Sequence, residues 1–127
     1  LKDGVLYVTR SNLTPSSTAP ICGVQKIADG AVSDFSCSSL FNQPQGIAYS
    51  SQTNQFYVAN TGSVTDPTSG TVISIATDGL VKSTPFVTSA DGLCAPVGVA
   101  VVGNYLYVSN APCKSGDKGF ILKVNLI

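Results

Sequence analysis

Histidine and glutamate are both missing from this 127-residue chain, and each absence removes a class of chemistry. Without an imidazole there is no Ser-His relay, no histidine general base and no His-ligated zinc within these residues. Every acidic side chain is an aspartate, at 3, 29, 34, 66, 78, 91 and 117. Charge is scarce too: 11% of residues carry it, against roughly 25% in an average soluble domain. The 7 basic and 7 acidic side chains cancel. No net field therefore favours a nucleic acid or an anionic membrane, and neither is expected as a partner. No apolar run approaches the roughly 20 residues of a membrane helix. The chain opens without Met or a signal peptide, so it reads as a processed or partial product.

What is abundant is Gly (12 residues), with Ser, Thr, Val and Asn. That mixture suits many short strands joined by tight turns. Four Cys residues, 22, 37, 94 and 113, are even in number and never in a CxxC arrangement. A zinc site would need all four thiolates to converge, so bridges are the expectation. Asn12-Leu13-Thr14 is an N-glycosylation sequon. Sequon and bridges together point to a secreted or extracellular, oxidising compartment.

Self-similarity is the strongest signal. Leu6-Tyr7-Val8, Phe56-Tyr57-Val58 and Leu106-Tyr107-Val108 recur at successive offsets of 50. Pro44-Gln45-Gly46-Ile47-Ala48 precedes the second copy and Pro96-Val97-Gly98-Val99-Ala100 the third. Ala28-Asp29-Gly30 and Thr77-Asp78-Gly79 follow the first two. Each unit reads as four strand positions. A is a small apolar segment, B the Leu/Phe-Tyr-Val segment, C follows a long polar loop, and D follows a two-residue hairpin turn, Asp29-Gly30 in the first unit and Asp78-Gly79 in the second. Strands are expected near 4–10, 21–28, 31–37, 45–50, 55–60, 70–76, 80–88, 97–102, 104–109 and 119–126, with no helix over one turn.

Four strands per unit at a period near 50 is the pattern of an all-β propeller built from four-stranded antiparallel blades. A β-sandwich also uses many short strands, but it does not require a repeating four-strand unit. The whole of 1–127 is read as one propeller segment of about two and a half blades, with repeats at 1–43, 44–95 and 96–127. A propeller closes with about four to eight blades. The remaining blades therefore belong to further residues, the preferred reading, or to other copies pairing edge to edge.

The pattern Pro-x-Gly-[Ile/Val]-Ala, then [Leu/Phe]-Tyr-Val-[Ala/Ser]-Asn, resembles NHL repeats and the wider SMP-30 (gluconolactonase)-like propellers. The resemblance implies the fold. It says little of activity, because such propellers include hydrolases, lyases, ligand-binding modules and scaffolds. It also implies that the D–A and B–C loops share a face carrying any binding site. That face would gather Arg10, Asn12, Asn60, Asp66, Asn110 and the loops 61–70 and 111–118. In lactonase-like relatives such positions reach a channel calcium through oxygen ligands, which makes Asn60, Asn110 and Asp66 candidate calcium ligands. Against that, Arg10 occupies the third equivalent position and the family's Glu is missing here. The simpler role for both Asn side chains is hydrogen bonding to backbone where strand B enters its loop.

Asp66-Pro67-Thr68-Ser69-Gly70 reads as a turn. Gly116-Asp117-Lys118-Gly119 has no Walker arrangement and no following helix, so it is no phosphate loop. Tyr7, Tyr57 and Tyr107 read as packing between blades. For the bridges the expectation is Cys22–Cys37 and Cys94–Cys113. With Asp29-Gly30 as a two-residue turn, facing residues sum to 59, as Cys22 and Cys37 do. Cys94 and Cys113 lie in a D–A and a B–C loop on one face. The reading is an extracellular, disulfide-bonded binding or structural module with a glycan or protein ligand. Its alternatives are a calcium-dependent lactonase-like hydrolase with carboxylates elsewhere, and a subunit of an extracellular filament.

Overall fold

The computed structural model describes residues 1–11, 21–63, 65–66 and 68–127. These described residues form nine strands: β1 (Leu6–Thr9), β2 (Ile21–Ala28), β3 (Ala31–Ser38), β4 (Pro44–Ser50), β5 (Gln55–Asn60), β6 (Thr71–Ala76), β7 (Ala95–Val102), β8 (Tyr105–Ala111) and β9 (Phe120–Asn125). They form three 3-stranded antiparallel sheets of consecutive strands: β1-β2-β3, β4-β5-β6 and β7-β8-β9. The only helical element among the described residues is a 3-10 turn, Ser89–Asp91, boxed by Thr88 and Asp91.

The chain is thus all-β and repetitive, but its sheets have three strands rather than four, and among the described residues they do not close into a barrel or propeller. The first sheet supplies positions B, C and D, and the other two supply A, B and C. The strand expected over 80–88 is replaced by two isolated bridges to β6, Ile75 with Val81 and Val72 with Val87. Pro85 lies between them and has no N–H to give to a ladder, which interrupts pairing where a continuous strand would run.

Turn chemistry sets the registers. Asp29 and Gly30 both have positive φ (50° and 75°) and join Ala28 to Ala31, the two-residue mirror turn that matches strand twist. The expected counterpart at Asp78-Gly79 is one residue longer. The Gly79 N–H donates to the Ala76 carbonyl, the Ala76 N–H donates to Leu80, and only Gly79 is left-handed, at 92°. Asp78 Oδ1 accepts from the Leu80 N–H at 3.0 Å, which holds Asp78 out of the left-handed region. A Cβ on Gly79 would meet the Phe35 carbonyl oxygen of the first sheet at 2.1 Å.

The sheets lie face to face, and strand alternation sorts the core into two layers. From β5, Phe56 and Val58 join Ile73, Ile75, Val24 and Phe41 between the first and middle sheets. Tyr57, the neighbour in sequence, points the other way with Val72, against Leu106 and Val108 of the third sheet. The middle sheet is therefore buried on both faces, and all of Phe56, Tyr57, Val58 and Ala59 are nearly inaccessible. Strand β4 runs against β7. A Cβ on Gly46 would lie 2.8 Å from the Val97 carbonyl oxygen and 2.9 Å from Gly98 Cα. The small residues at position A are what let these two strands approach.

Candidate functional site

The end of each sheet where position B enters its loop holds the residues singled out above. Asn60 ends β5 and is fully buried. Its Oδ1 accepts from the Asn42 N–H at 3.1 Å. Its Nδ2 donates to the Leu40 carbonyl at 3.0 Å and to Thr71 Oγ1 at 3.1 Å. Asn110, 50 residues on, repeats the arrangement. It accepts from the Cys94 N–H at 3.1 Å and donates to the Val108 carbonyl at 3.2 Å. In both repeats the carboxamide holds the segment two residues before the Pro that opens position A, Asn42 before Pro44 and Cys94 before Pro96. A neutral amide suits this because it gives donor and acceptor at once without burying charge. As calcium ligands these two are poorly placed, since their oxygens face N–H donors.

Asp66 and Arg10 are exposed. Asp66 Oδ1 accepts from the Thr68 hydroxyl at 2.6 Å and the Thr68 N–H at 3.0 Å. Those bonds, the side-chain one first, hold its carboxyl below the ordinary value. This is an Asx turn with its acceptor capacity used locally. The Arg10 backbone N–H donates to the Gly23 carbonyl at 2.9 Å. Arg10, Asn60, Asp66 and Asn110 stand at or just after the ends of position-B strands, yet each bonds to separate partners. The sequon residue Asn12 lies outside the described residues.

The sulfurs are paired Cys22–Cys37 and Cys94–Cys113, leaving no free cysteine. The first bridge joins directly facing residues of β2 and β3. The second ties the segment before β7 to the β8–β9 loop, with Cα atoms 5.4 Å apart. Among the described residues one group has metal-ligand atoms within 4.8 Å of each other, Cys22, Asp34 and Cys37. Its two sulfurs are bonded to one another, so a lone carboxylate remains and no metal site forms.

Neighbouring sheets are also stitched by hydroxyl groups that the repeat pattern did not reveal. Ser36 Oγ, buried, donates to the Gly79 carbonyl at 2.7 Å. Thr61 Oγ1 donates to the Pro96 carbonyl at 2.9 Å, and Thr9 Oγ1 to that of Gln45. Tyr7 packs on Phe56 with ring centres 4.5 Å apart, and Tyr57 on Phe86 at 5.1 Å, so these two are core residues. Tyr107 differs. It lines an open, mostly apolar groove of about 260 Å³ with Gly98, Ala100, Ser109 and Ile121, on the face of the third sheet turned away from the other two.

No helix among the described residues is long and apolar enough to cross a membrane. Comparison with protein-family models, with curated proteins and with solved structures gave no match to this chain.

Proposed function

We propose that the chain contributes blades of an NHL-like β-propeller that serves as an extracellular binding or structural module. One observation carries this reading. The middle sheet is sandwiched between a preceding and a following sheet of like strand order, and buried amides brace the loops at one end. A stack of repeated sheets is rigid where it packs, and rigid packing fixes the loops that leave its end. Loops 61–70 and 111–118, the second stapled by Cys94–Cys113, form the surface for a glycan or protein ligand. Two disulfides and the sequon at Asn12 support an oxidising compartment.

The test sets this module against the calcium-dependent hydrolase. Purified chain is assayed for thermal stabilisation by calcium and for hydrolysis of an aldonolactone with and without the ion. The module reading expects neither. A calcium-dependent rise in melting temperature together with lactone turnover overturns it.

A further inference from the structure

The two end faces of the sheet stack carry the residues that the inner faces bury. On the outer face of the first sheet Leu6, Ile27 and Val32 stand opposite one another across β1, β2 and β3. The same cross-sheet row in the middle sheet is Phe56, Ile75 and Val81, and it is packed against the first sheet. In the third sheet it is Leu106 and Val124, packed against the middle sheet. Yet Leu6 is 41% and Val32 60% exposed.

The other end repeats the argument with the opposite face. Ala48, Tyr57, Ala59 and Val72 of the middle sheet are the side that meets the third sheet. Their equivalents Ala100, Tyr107, Ser109 and Ile121 line the open groove, and Ile121 is 64% exposed. Gly98 is the counterpart of Gly46, but only Ser109 Oγ lies within 4 Å of its Cβ position, where Gly46 has the backbone of another sheet. Each end face is thus half of an interface that this chain already makes twice within itself. Charge agrees with the match. Lys123 lies over the Tyr105 ring beside the groove, and Asp34, bonded by Gln25 at 3.1 Å, flanks the Leu6 row.

We propose that two copies of this chain associate head to tail, the outer face of β7-β8-β9 in each covering the outer face of β1-β2-β3 in the other. A head-to-tail contact either closes or grows into a fibre. A pair that covers both end faces of each chain is closed, with two equal interfaces. This rests on the blade reading above and names the partner as a second copy.

The test is the solution mass of the 127-residue chain at high micromolar concentration, by light scattering and sedimentation. The expected mass is about twice the 13.0 kDa of one chain. Ile121→Lys and Val32→Asp alter exposed side chains on opposite ends, so each folds, as circular dichroism and disulfide mapping verify. Each variant alone is expected to be monomeric. Their equimolar mixture is expected to pair, because one interface is then native and the other apposes Lys to Asp. A monomeric parent chain overturns the proposal, and so does a Val32→Asp chain that still dimerises, which would show a contact between two β7-β8-β9 faces. Species that lengthen with concentration overturn the closed pair. Hydrogen exchange separates the two readings: slow exchange at β5 in a monomer leaves the blade reading standing while the pair falls. Fast exchange at β5 removes both.

Discussion

Replacing Asn60 by Ala removes three hydrogen bonds from a side chain with no solvent access. The Asn42 N–H and the Leu40 carbonyl lose their amide partner, and the missing carboxamide leaves a cavity at a fully buried position. An unsatisfied buried polar group costs about 1–3 kcal/mol. Two such groups, relieved in part by loop relaxation, put the loss at about 2–4 kcal/mol. Asn110→Ala breaks two bonds at a site that is 4% exposed, so its loss should be the smaller, about 1–3 kcal/mol. Asn60→Asp keeps the acceptor but turns a carboxylate towards the Leu40 carbonyl, and should cost at least as much as Ala. Denaturant unfolding with both disulfides intact measures all three. The calcium-ligand role predicts instead that the Asn60→Asp variant binds the ion more tightly and gains stability in its presence. A loss below about 1 kcal/mol for Asn60→Ala, or calcium rescue of Asn60→Asp, would refute the bracing role.

Gly46→Ala drives a methyl group into β7 backbone and should cost about 1–3 kcal/mol by parting the middle and third sheets, whereas Gly98→Ala meets only a hydroxyl and should cost less in a monomer. Equilibrium unfolding of the two variants tests that order, and equal losses would contradict the sheet contact. Replacing Cys22 and Cys37 together by Ser frees a loop of sequence separation 15 and should remove about 3 kcal/mol on the chain-entropy account. Non-reducing peptide mapping must first recover Cys22 with Cys37 and Cys94 with Cys113. The Asp66 carboxyl should titrate below 3.8 by NMR. Because the folded value is the lower one, its hydrogen bonds are intact above the unfolded value and lost as pH falls through the folded one, and a midpoint above 3.8 would deny the turn.

Most of the strand pattern was legible because turn and packing signals coincided. Phe56-Tyr57-Val58 is aromatic and β-branched, alternates cleanly between two cores, and sits between a polar turn and a buried Asn. The segment after Gly79 was misread for the opposite reason. Leu80-Val81-Lys82 and Phe86-Val87 have strand-like composition, but Pro85 between them cannot donate, and composition averaged over the window hid that one missing N–H. The extra turn residue at Asp78 escaped for a similar cause. Asp29-Gly30 and Asp78-Gly79 are identical dipeptides, and what separates them is whether Asp takes positive φ or spends its carboxylate on the N–H two residues ahead.

The β2–β3 register shows how a simple rule can hold at one position and fail between. Lys26 with Ser33 and Gln25 with Asp34 both sum to 59, the sum expected from a two-residue turn. Val24 then faces Ser36, skipping Phe35, and the register returns only when Gly23 is skipped on the other strand. Two bulges of opposite sense cancel, so Cys22 again faces Cys37. The physical cause lies in the third dimension: Phe35 turns its ring into the core with Tyr7 and Phe56, and Gly23 lies under Phe41, whose ring leaves no room for a Cβ. Neither constraint has a signature along the chain, because both partners of each contact come from different elements. The same holds at the candidate site. That Asn60 and Asn110 recur at one position was plain, but whether a recurring Asn holds an ion or a loop depends on what faces its oxygen. Here that is an N–H from the segment leading into the neighbouring strand, a contact that sequence spacing alone does not contain.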